Sequence, residues 1–125
     1  MTHDNYKILL VEDDHIDQMA FTRFLNKHTP SYTCNIAESI EKAYKLISTE
    51  VFDIIITDYH LGDGTALDII RSIKNIPIVV LSSAHNEKIA IEMIKMGVKR
   101  YMVKDTKGSY LKSMPATIQA AIHNH

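Results

Sequence analysis

Polar side chains suited to metal and phosphate chemistry follow four separate apolar segments of this 125-residue chain. After the first segment comes the acidic run Glu12, Asp13 and Asp14; the later ones are followed by Asp58, by Ser82 and Ser83, and by Lys104 and Asp105. A single polar residue after an apolar segment is commonly just a solvated cap. Carboxylates, hydroxyls and an ammonium group that meet in one place would instead form a reactive site.

The acidic residues indicate which ligand such a site would bind. Carboxylates crowded together raise one another's pKa values unless a cation lies among them. Oxygen ligands favour a hard cation, and because the sequence has no twelve-residue calcium loop, Mg²⁺ fits better than Ca²⁺. Lys104 cannot bind a metal, so its presence indicates that an anion joins the cation. A phosphoryl group on one carboxylate would use the metal, the lysine and a serine hydroxyl together, which predicts an aspartyl-phosphate site.

Five apolar segments are predicted to be the strands that position these side chains. Lys7–Val11, Asp53–Thr57 and Ile78–Leu81 are continuous and rich in β-branched residues, which is typical of parallel strands covered on both faces. Thr33–Ala37 and Arg100–Val103 are more mixed, as strands nearer a sheet edge would be.

Apolar residues recur at helical spacing after each of these segments, beginning at Ile16, Ile40, Ala66, Ala90 and Ile118. Strict alternation of strands and helices predicts an α/β fold of the (βα)₅ type, with a doubly wound five-stranded parallel sheet between helices. Ligands of such sheets bind beyond the carboxyl ends of the strands. The polar residues that follow the strands are therefore expected to converge on one edge.

Composition limits the class of protein. With 46% hydrophobic and 23% charged residues, residues 1–125 are expected to form a single domain with a core from about 7 to 123. The net charge of −1 argues against sequence-independent nucleic-acid binding. The single cysteine, Cys34, allows no intrachain disulfide, and no apolar run reaches the length that spans a membrane. A cytoplasmic location is expected.

Several motifs occur together in a characteristic order: Val11–Asp14, Asp58 after Ile54–Thr57, Leu61–Gly64, Leu81–Ser83 and Tyr101–Lys104. In order and spacing they resemble the receiver domain of bacterial response regulators, over about Lys7 to His123. The resemblance implies a flavodoxin-like sheet with strand order 2-1-3-4-5.

The resemblance also implies how the acidic residues function. Asp58 would be the phosphoacceptor. The acid pair Glu12 and Asp13 would bind Mg²⁺ together with Asp58. The backbone carbonyl of His60, two residues past the acceptor, would complete the protein ligands.

Three further positions match the family pattern. Ser82 and Lys104 would contact the phosphoryl group, and the side-chain conformation of Tyr101 would be coupled to the Ser82 hydroxyl. Asp105 departs from the pattern, since a proline in a cis peptide usually follows the lysine. The geometry of the Lys104–Asp105 peptide therefore has to come from the structure.

The resemblance further implies partners. A histidine kinase or phosphotransfer protein would supply the phosphoryl group, and the domain would catalyse only its own phosphorylation and dephosphorylation. An output partner or a second copy would bind the face of the fourth helix, fifth strand and last helix. That face is expected to include Ile89, Met93, Tyr101 and residues near Leu111.

The same residues allow other interpretations, which differ in what they require of particular positions. The chain could be the N-terminal receiver of a larger hybrid sensor kinase or PAS-containing regulator. A haloacid-dehalogenase-like phosphohydrolase also uses a strand-end aspartate with Mg²⁺, but it needs an acid where His60 stands. A nucleotide-binding domain would need a glycine-rich loop where Glu12 and Asp13 follow the first strand. A degenerate receiver that only docks is disfavoured by the intact set of Asp13, Asp58, Ser82 and Lys104.

Pro115 predicts where the last helix begins, because proline is tolerated in a first helical turn and is costly in the interior. The helix is expected from about Met114 to His123, with Ser113 as a candidate cap. Lys107–Lys112 should be a loop or a separate short turn. Tails are expected at Met1–Asn5 and His123–His125.

Overall fold

The computed structural model describes residues 5–125, in which strands alternate with helices. The main sheet contains β1 (Lys7–Val11), β2 (Thr33–Ala37), β3 (Ile54–Asp58), β4 (Ile78–Ser82) and β5 (Arg100–Val103). The helices are α1 (His15–His28), α2 (Ile40–Thr49), α3 (Ala66–Ser72), α4 (Glu87–Lys95), α5 (Ser109–Lys112) and α6 (Met114–His123). Neighbouring strands are all parallel, in the order β2-β1-β3-β4-β5. The predicted fold class and strand order are confirmed.

The three central strands are buried because helices cover both faces of the sheet. Leu9 and Ile55 face a core completed by α2, α3 and α4, whereas Ile8 and Ile56 face one completed by α1 and α6. Neighbouring residues of a strand point to opposite faces, so a strand buried on both sides needs an unbroken apolar run. This requirement explains the continuous apolar segments of the sequence.

Acidic side chains fix the helix starts at the carboxyl edge of the sheet. The carboxylate of Asp14 accepts hydrogen bonds from the backbone N–H groups of Ile16 and Asp17 and so caps α1. Asp63, although exposed, accepts from the N–H groups of Ile40 and Glu41 at 3.0 and 3.1 Å, and these bonds lower its pKa. The loop after β3 is thereby tied to the start of α2.

That loop forms a short antiparallel hairpin, in which His60–Leu61 pairs with Gly64–Thr65. Gly64 has φ +155°, and a Cβ there would lie 2.4 Å from Oδ2 of Asp68. The Asp68 carboxylate belongs to a capping box with Thr65 at the start of α3. Glycine is therefore required at this position by both the backbone conformation and the close approach of Asp68.

The last helix begins as predicted, with Pro115 in its first turn. The preceding segment contains the short helix α5, which ends at Lys112, so a separate turn is confirmed. Ser113 occupies the N-cap position of α6, as predicted, but its side chain forms no cap hydrogen bond: its hydroxyl donates to the carbonyl of Tyr110 at 3.0 Å. The turn of α5 directly before α6 offers that carbonyl as a local hydrogen-bond partner.

The expected tails are only partly described. Residues 1–4 of the N-terminal tail lie outside the described residues. His123 is not a tail residue, because it is the last residue of α6 and its Nε2 lies 3.1 Å from the Tyr6 hydroxyl. Within residues 5–125, no helix combines the length and apolar character needed to cross a bilayer.

Candidate phosphoacceptor site

The carboxyl ends of four strands bring the predicted site residues to one edge of the sheet. Asp58 is the last residue of β3 and pairs with Leu81 of β4. Ser82 is the last residue of β4, and the N–H of Lys104 donates to its carbonyl at 2.7 Å. Glu12 directly follows β1, and its N–H donates to the carbonyl of Ala37 in β2 at 2.9 Å. Backbone hydrogen bonds therefore fix the positions from which these side chains extend.

Three carboxylates form a group that could hold a cation. Glu12, Asp13 and Asp58 each offer a carboxylate oxygen, and these oxygens all lie within 4.8 Å of one another. Glu12 is buried, with a relative exposure of 2%, whereas Asp13 is exposed and Asp58 is half-buried. An all-oxygen set of this kind, open to solvent on one side, fits a hard divalent cation that keeps part of its water shell.

Burial disfavours the charged forms of the inner carboxylates. Desolvation raises the pKa of Glu12 to about 7, against the opposing effect of its hydrogen bond with Lys104. Desolvation also raises the pKa of Asp58, while the nearby Lys104 ammonium lowers it. A divalent cation among these oxygens would favour the charged forms, so the donor set and its electrostatics both fit Mg²⁺.

Lys104 is the cation that the fold itself supplies to this group. Its ammonium donates to Oε1 of Glu12 at 2.9 Å and to Oδ2 of Asp17 at 2.8 Å. The same nitrogen lies 3.5 Å from Oδ2 of Asp58. The lysine side chain is only 11% exposed, and these carboxylates raise its pKa against the opposing effect of burial. It is therefore charged and points at the acceptor side chain.

Asp17 is a site residue that the sequence analysis missed. It lies in the first turn of α1, where acidic residues are common because they interact favourably with the helix dipole. Because of this general preference, an acidic residue at position 17 does not by itself indicate a site residue. The only available signal was its position one turn into a helix that starts at the carboxyl edge of the sheet.

Ser82 and Tyr101 share a hydrogen-bond acceptor. The Ser82 hydroxyl donates to the carbonyl of Ala84 at 2.9 Å, and the Tyr101 hydroxyl donates to the same oxygen at 3.0 Å. Ser82 is 5% exposed and Tyr101 is half-buried. The two side chains named as a coupled pair are therefore linked through one backbone carbonyl.

The remaining predicted positions lie beside the cluster. His60 is exposed at the start of the hairpin, with its ring edge-on to Tyr59 at 4.7 Å between centroids. The role of its backbone carbonyl stays a prediction. The Lys104–Asp105 peptide is trans. The Asp105 carboxylate accepts from the Ser109 hydroxyl and from the Tyr110 N–H, which fixes the start of α5.

Residues 8–115 match the family model described as the response regulator receiver domain, and the chain belongs to that family. The match includes every strand of the main sheet except the first residue of β1, and it includes all the site residues described above. Family membership favours the receiver interpretation over the phosphohydrolase and nucleotide-binding alternatives.

Among individual proteins, the chain is similar to the transcriptional regulatory protein ZraR of Escherichia coli, with 27% identity over 130 residues. It is 31% identical over 121 residues to the transcriptional regulatory protein YdfI of Bacillus subtilis. These alignments cover 100% and 93% of this chain but only 28% and 56% of the relatives. The chain thus spans about a quarter to a half of their length.

Solved structures support the fold. The signal receiver domain of a putative LuxO repressor protein from Vibrio parahaemolyticus has a TM-score of 0.83 at 19% identity. The comparison covers 97% of this chain and 95% of that one. At this level of identity, the likeness concerns the architecture alone.

Proposed function

We propose that this chain is a phosphoacceptor that takes a phosphoryl group on Asp58 and loses it again by hydrolysis. The observation that carries this proposal is the position of Asp58, with the Lys104 ammonium 3.5 Å from one carboxylate oxygen and two further carboxylates beside it. A carboxylate so placed can act as a nucleophile if the negative charge around it is offset.

Each residue has a distinct chemical task in this proposal. An Oδ atom of Asp58 attacks phosphorus, the new O–P bond forms, and the bond to the donor breaks with its electron pair leaving on the donor. Lys104 and the Ser82 hydroxyl contact phosphoryl oxygens. Bound Mg²⁺, held by Glu12, Asp13, Asp58 and the His60 carbonyl, would offset the charge on nucleophile and phosphoryl group.

Family membership supports a proposal for the donor, the domain bounds and the location. A phosphohistidine on a histidine kinase or phosphotransfer protein is the proposed donor, and residues 1–125 form one receiver domain with its core at 7–123. We place it in the cytoplasm. The related proteins ZraR and YdfI are both longer than this chain. An N-terminal receiver within a larger hybrid kinase or PAS-containing regulator is therefore retained as an alternative.

Mg²⁺ removal tests the proposal directly. Incubation with a small phosphodonor and Mg²⁺ should add the mass of one phosphoryl group, and peptide mapping should locate it on Asp58. Chelation of the metal should abolish the mass gain, because the three clustered carboxylates then repel the incoming phosphate. Asp13→Ala should reduce the rate about 100-fold. Equal labelling with and without Mg²⁺ would contradict the metal assignment.

We also propose that Ser82 and Tyr101 transmit the phosphorylation state. A Ser82 hydroxyl drawn to a phosphoryl oxygen leaves the Ala84 carbonyl to Tyr101 alone. In this structure the Ser82 and Tyr101 hydroxyls both donate to that carbonyl. Loss of the Ser82 hydrogen bond therefore changes which side-chain conformation of Tyr101 is most stable. Phosphorylation would thereby reach the surface around β5.

The partner-binding surface differs in part from the one expected from the sequence. Met93 is buried, with an exposure of 0%, because it fills the core beneath the helices, so it cannot contact a partner directly. Leu111, near which further contacts were expected, is itself 8% exposed. Exposed apolar side chains near Tyr101 are instead Ile91, Ile94 and Val103. We propose this patch as the contact for an output partner or a second copy.

Ser82→Ala should leave phosphorylation of Asp58 measurable but weaken its effect on the β5 surface, since the hydroxyl that responds to phosphate is gone. Tyr101→Ala should do the same without altering Mg²⁺ binding. Chemical-shift mapping with beryllofluoride as the phosphoryl mimic measures both effects. Shifts confined to Asp13, Asp58 and their neighbours in the unmodified protein would rule out this route.

A further inference from the structure

Asp17 forms an ion pair with Lys104 but was given no task in the phosphoacceptor chemistry described above. An ammonium group has three N–H donors. In Lys104, one donates to Glu12 at 2.9 Å and one to Asp17 at 2.8 Å, while the distance of 3.5 Å to Asp58 is longer than a usual hydrogen bond. The ammonium is therefore better bonded to Asp17 than to the acceptor it is proposed to serve.

Asp17 is held in place by the docking of α1 on β1. The Gln18 side-chain amide donates to the carbonyl of Glu12 at 2.6 Å, and Gln18 is only 8% exposed. The Asp14 cap fixes the first helical turn from the other side. The Asp17 carboxylate therefore extends from a helical turn that is held by the hydrogen bonds of Asp14 and Gln18.

A phosphoryl group on Asp58 brings new anionic oxygens, and the third N–H of Lys104 can point to one of them. The hydrogen bonds to Glu12 and Asp17 hold the ammonium 3.5 Å from Asp58, however, so a shift of the ammonium toward the phosphoryl oxygens lengthens one of these two bonds. Glu12 is the costlier partner to release, since it is 2% exposed and belongs to the carboxylate group that fits a cation. Asp17 is outside that group and its side chain is 36% exposed, so water can solvate its carboxylate after release.

We propose that Asp17 is a positioning residue that competes with the phosphoryl group for Lys104 and so favours the unphosphorylated state. This inference rests on the proposed function, because the competition matters only if Asp58 accepts a phosphoryl group. Asp17 itself touches no reacting atom. It acts by retaining the ammonium that the phosphorylated site requires.

Asp17→Asn is the direct test, because it keeps the size of the side chain and removes its charge. With Mg²⁺ present, the variant should be phosphorylated by a small phosphodonor about three- to tenfold faster than the unmodified protein, and beryllofluoride should bind more tightly by a similar factor. Loss of one partly exposed charge-assisted hydrogen bond corresponds to about this ratio. An unchanged or reduced rate would overturn the inference.

Glu87→Gln provides a matched control. Glu87 is an exposed acid in the first turn of α4 at the same edge of the sheet, and within residues 5–125 it forms no ion pair. The substitution makes the same change in net charge and should leave the rate unchanged. An equal increase in this control would assign the effect to net charge and overturn the inference. Asp17→Glu should return the rate toward that of the unmodified protein, whereas a purely structural role would not predict such rescue.

A crystal structure of Asp17→Asn separates this inference from the proposed function. The Lys104 ammonium should move from 3.5 Å to hydrogen-bonding distance of Asp58 Oδ2, whether or not any phosphodonor reacts. An ammonium that stays in place overturns the inference even if phosphorylation is normal. Failure of the unmodified protein to take up a phosphoryl group would instead refute the proposed function, and the lysine position would still decide whether Asp17 holds it.

Discussion

Asp58→Asn should yield a folded domain that takes up no phosphoryl group from a small phosphodonor in the presence of Mg²⁺. The amide that replaces the carboxylate is a very weak nucleophile and carries no charge to bind the cation. Its size is almost the same, so the free energy of unfolding should change by no more than about 1 kcal/mol. Intact-mass measurement and chemical denaturation test the two parts separately.

Asp53→Asn is the matched control for this prediction. Asp53 directly precedes the same strand, at the end opposite Asp58, and its carboxylate accepts a hydrogen bond from the Lys7 N–H at 2.7 Å. The chemical change is identical, but the residue is far from the acidic cluster along the strand. This variant should be phosphorylated like the unmodified protein. Continued labelling of Asp58→Asn would show that another residue accepts the phosphoryl group.

Lys104→Met should have the second large effect, on both chemistry and stability. Removing the ammonium leaves the carboxylates of Glu12, Asp17 and Asp58 without the cation they now face. Removing one partner of a buried ion pair typically lowers the free energy of unfolding by about 3–5 kcal/mol. Because Asp17 is partly exposed, we expect a smaller loss here, of about 2–3 kcal/mol. Phosphorylation should slow about 100-fold, the usual result of deleting one electrostatic contact to a reacting group.

The effect of Mg²⁺ on thermal stability provides a second test of the role of Lys104. Since Lys104 and a divalent cation would both offset the same carboxylates, Mg²⁺ should stabilise Lys104→Met more than it stabilises the unmodified protein. Thermal unfolding with Mg²⁺ and with a chelator measures the difference. Lys99→Met is the control: its ammonium donates to the Asn124 carbonyl at 3.0 Å and lies before β5, at the strand's opposite end. Equal stabilisation of all three proteins by Mg²⁺ would contradict the assignment.

The strands and the acidic cluster could be predicted because their signals are local. A parallel strand covered on both faces needs an unbroken apolar run, and β1, β3 and β4 have one. Right-handed connections then place the carboxyl ends of parallel strands at one edge. That rule brings the residues after the strands to one place without any knowledge of side-chain packing. The choice of Glu12, Asp13, Asp58, Ser82 and Lys104 among them came from the resemblance to receiver domains.

Predictions that depended on which side of a helix faces the core were less successful. Met93 was expected at a partner surface, and it is buried. Ser113 occupies the N-cap position of α6, as predicted, but its hydroxyl donates to the carbonyl of Tyr110 and forms no cap hydrogen bond. Short segments of mixed character leave helix rotation and hydroxyl orientation open, because several local partners compete at similar free energy.

Local patterns in the sequence were enough to predict the alternating fold, the edge at which the acidic cluster lies and, apart from Asp17, the side chains that meet there. The hydrogen bond between Lys104 and Asp17, 87 positions away, and the Ala84 carbonyl shared by Ser82 and Tyr101 became known from the folded structure alone. The type of residue at the end of a strand is a local property that a linear pattern records. A hydrogen bond 2.8 Å long depends on how α1 docks against β1, and that docking is set by packing of the whole core.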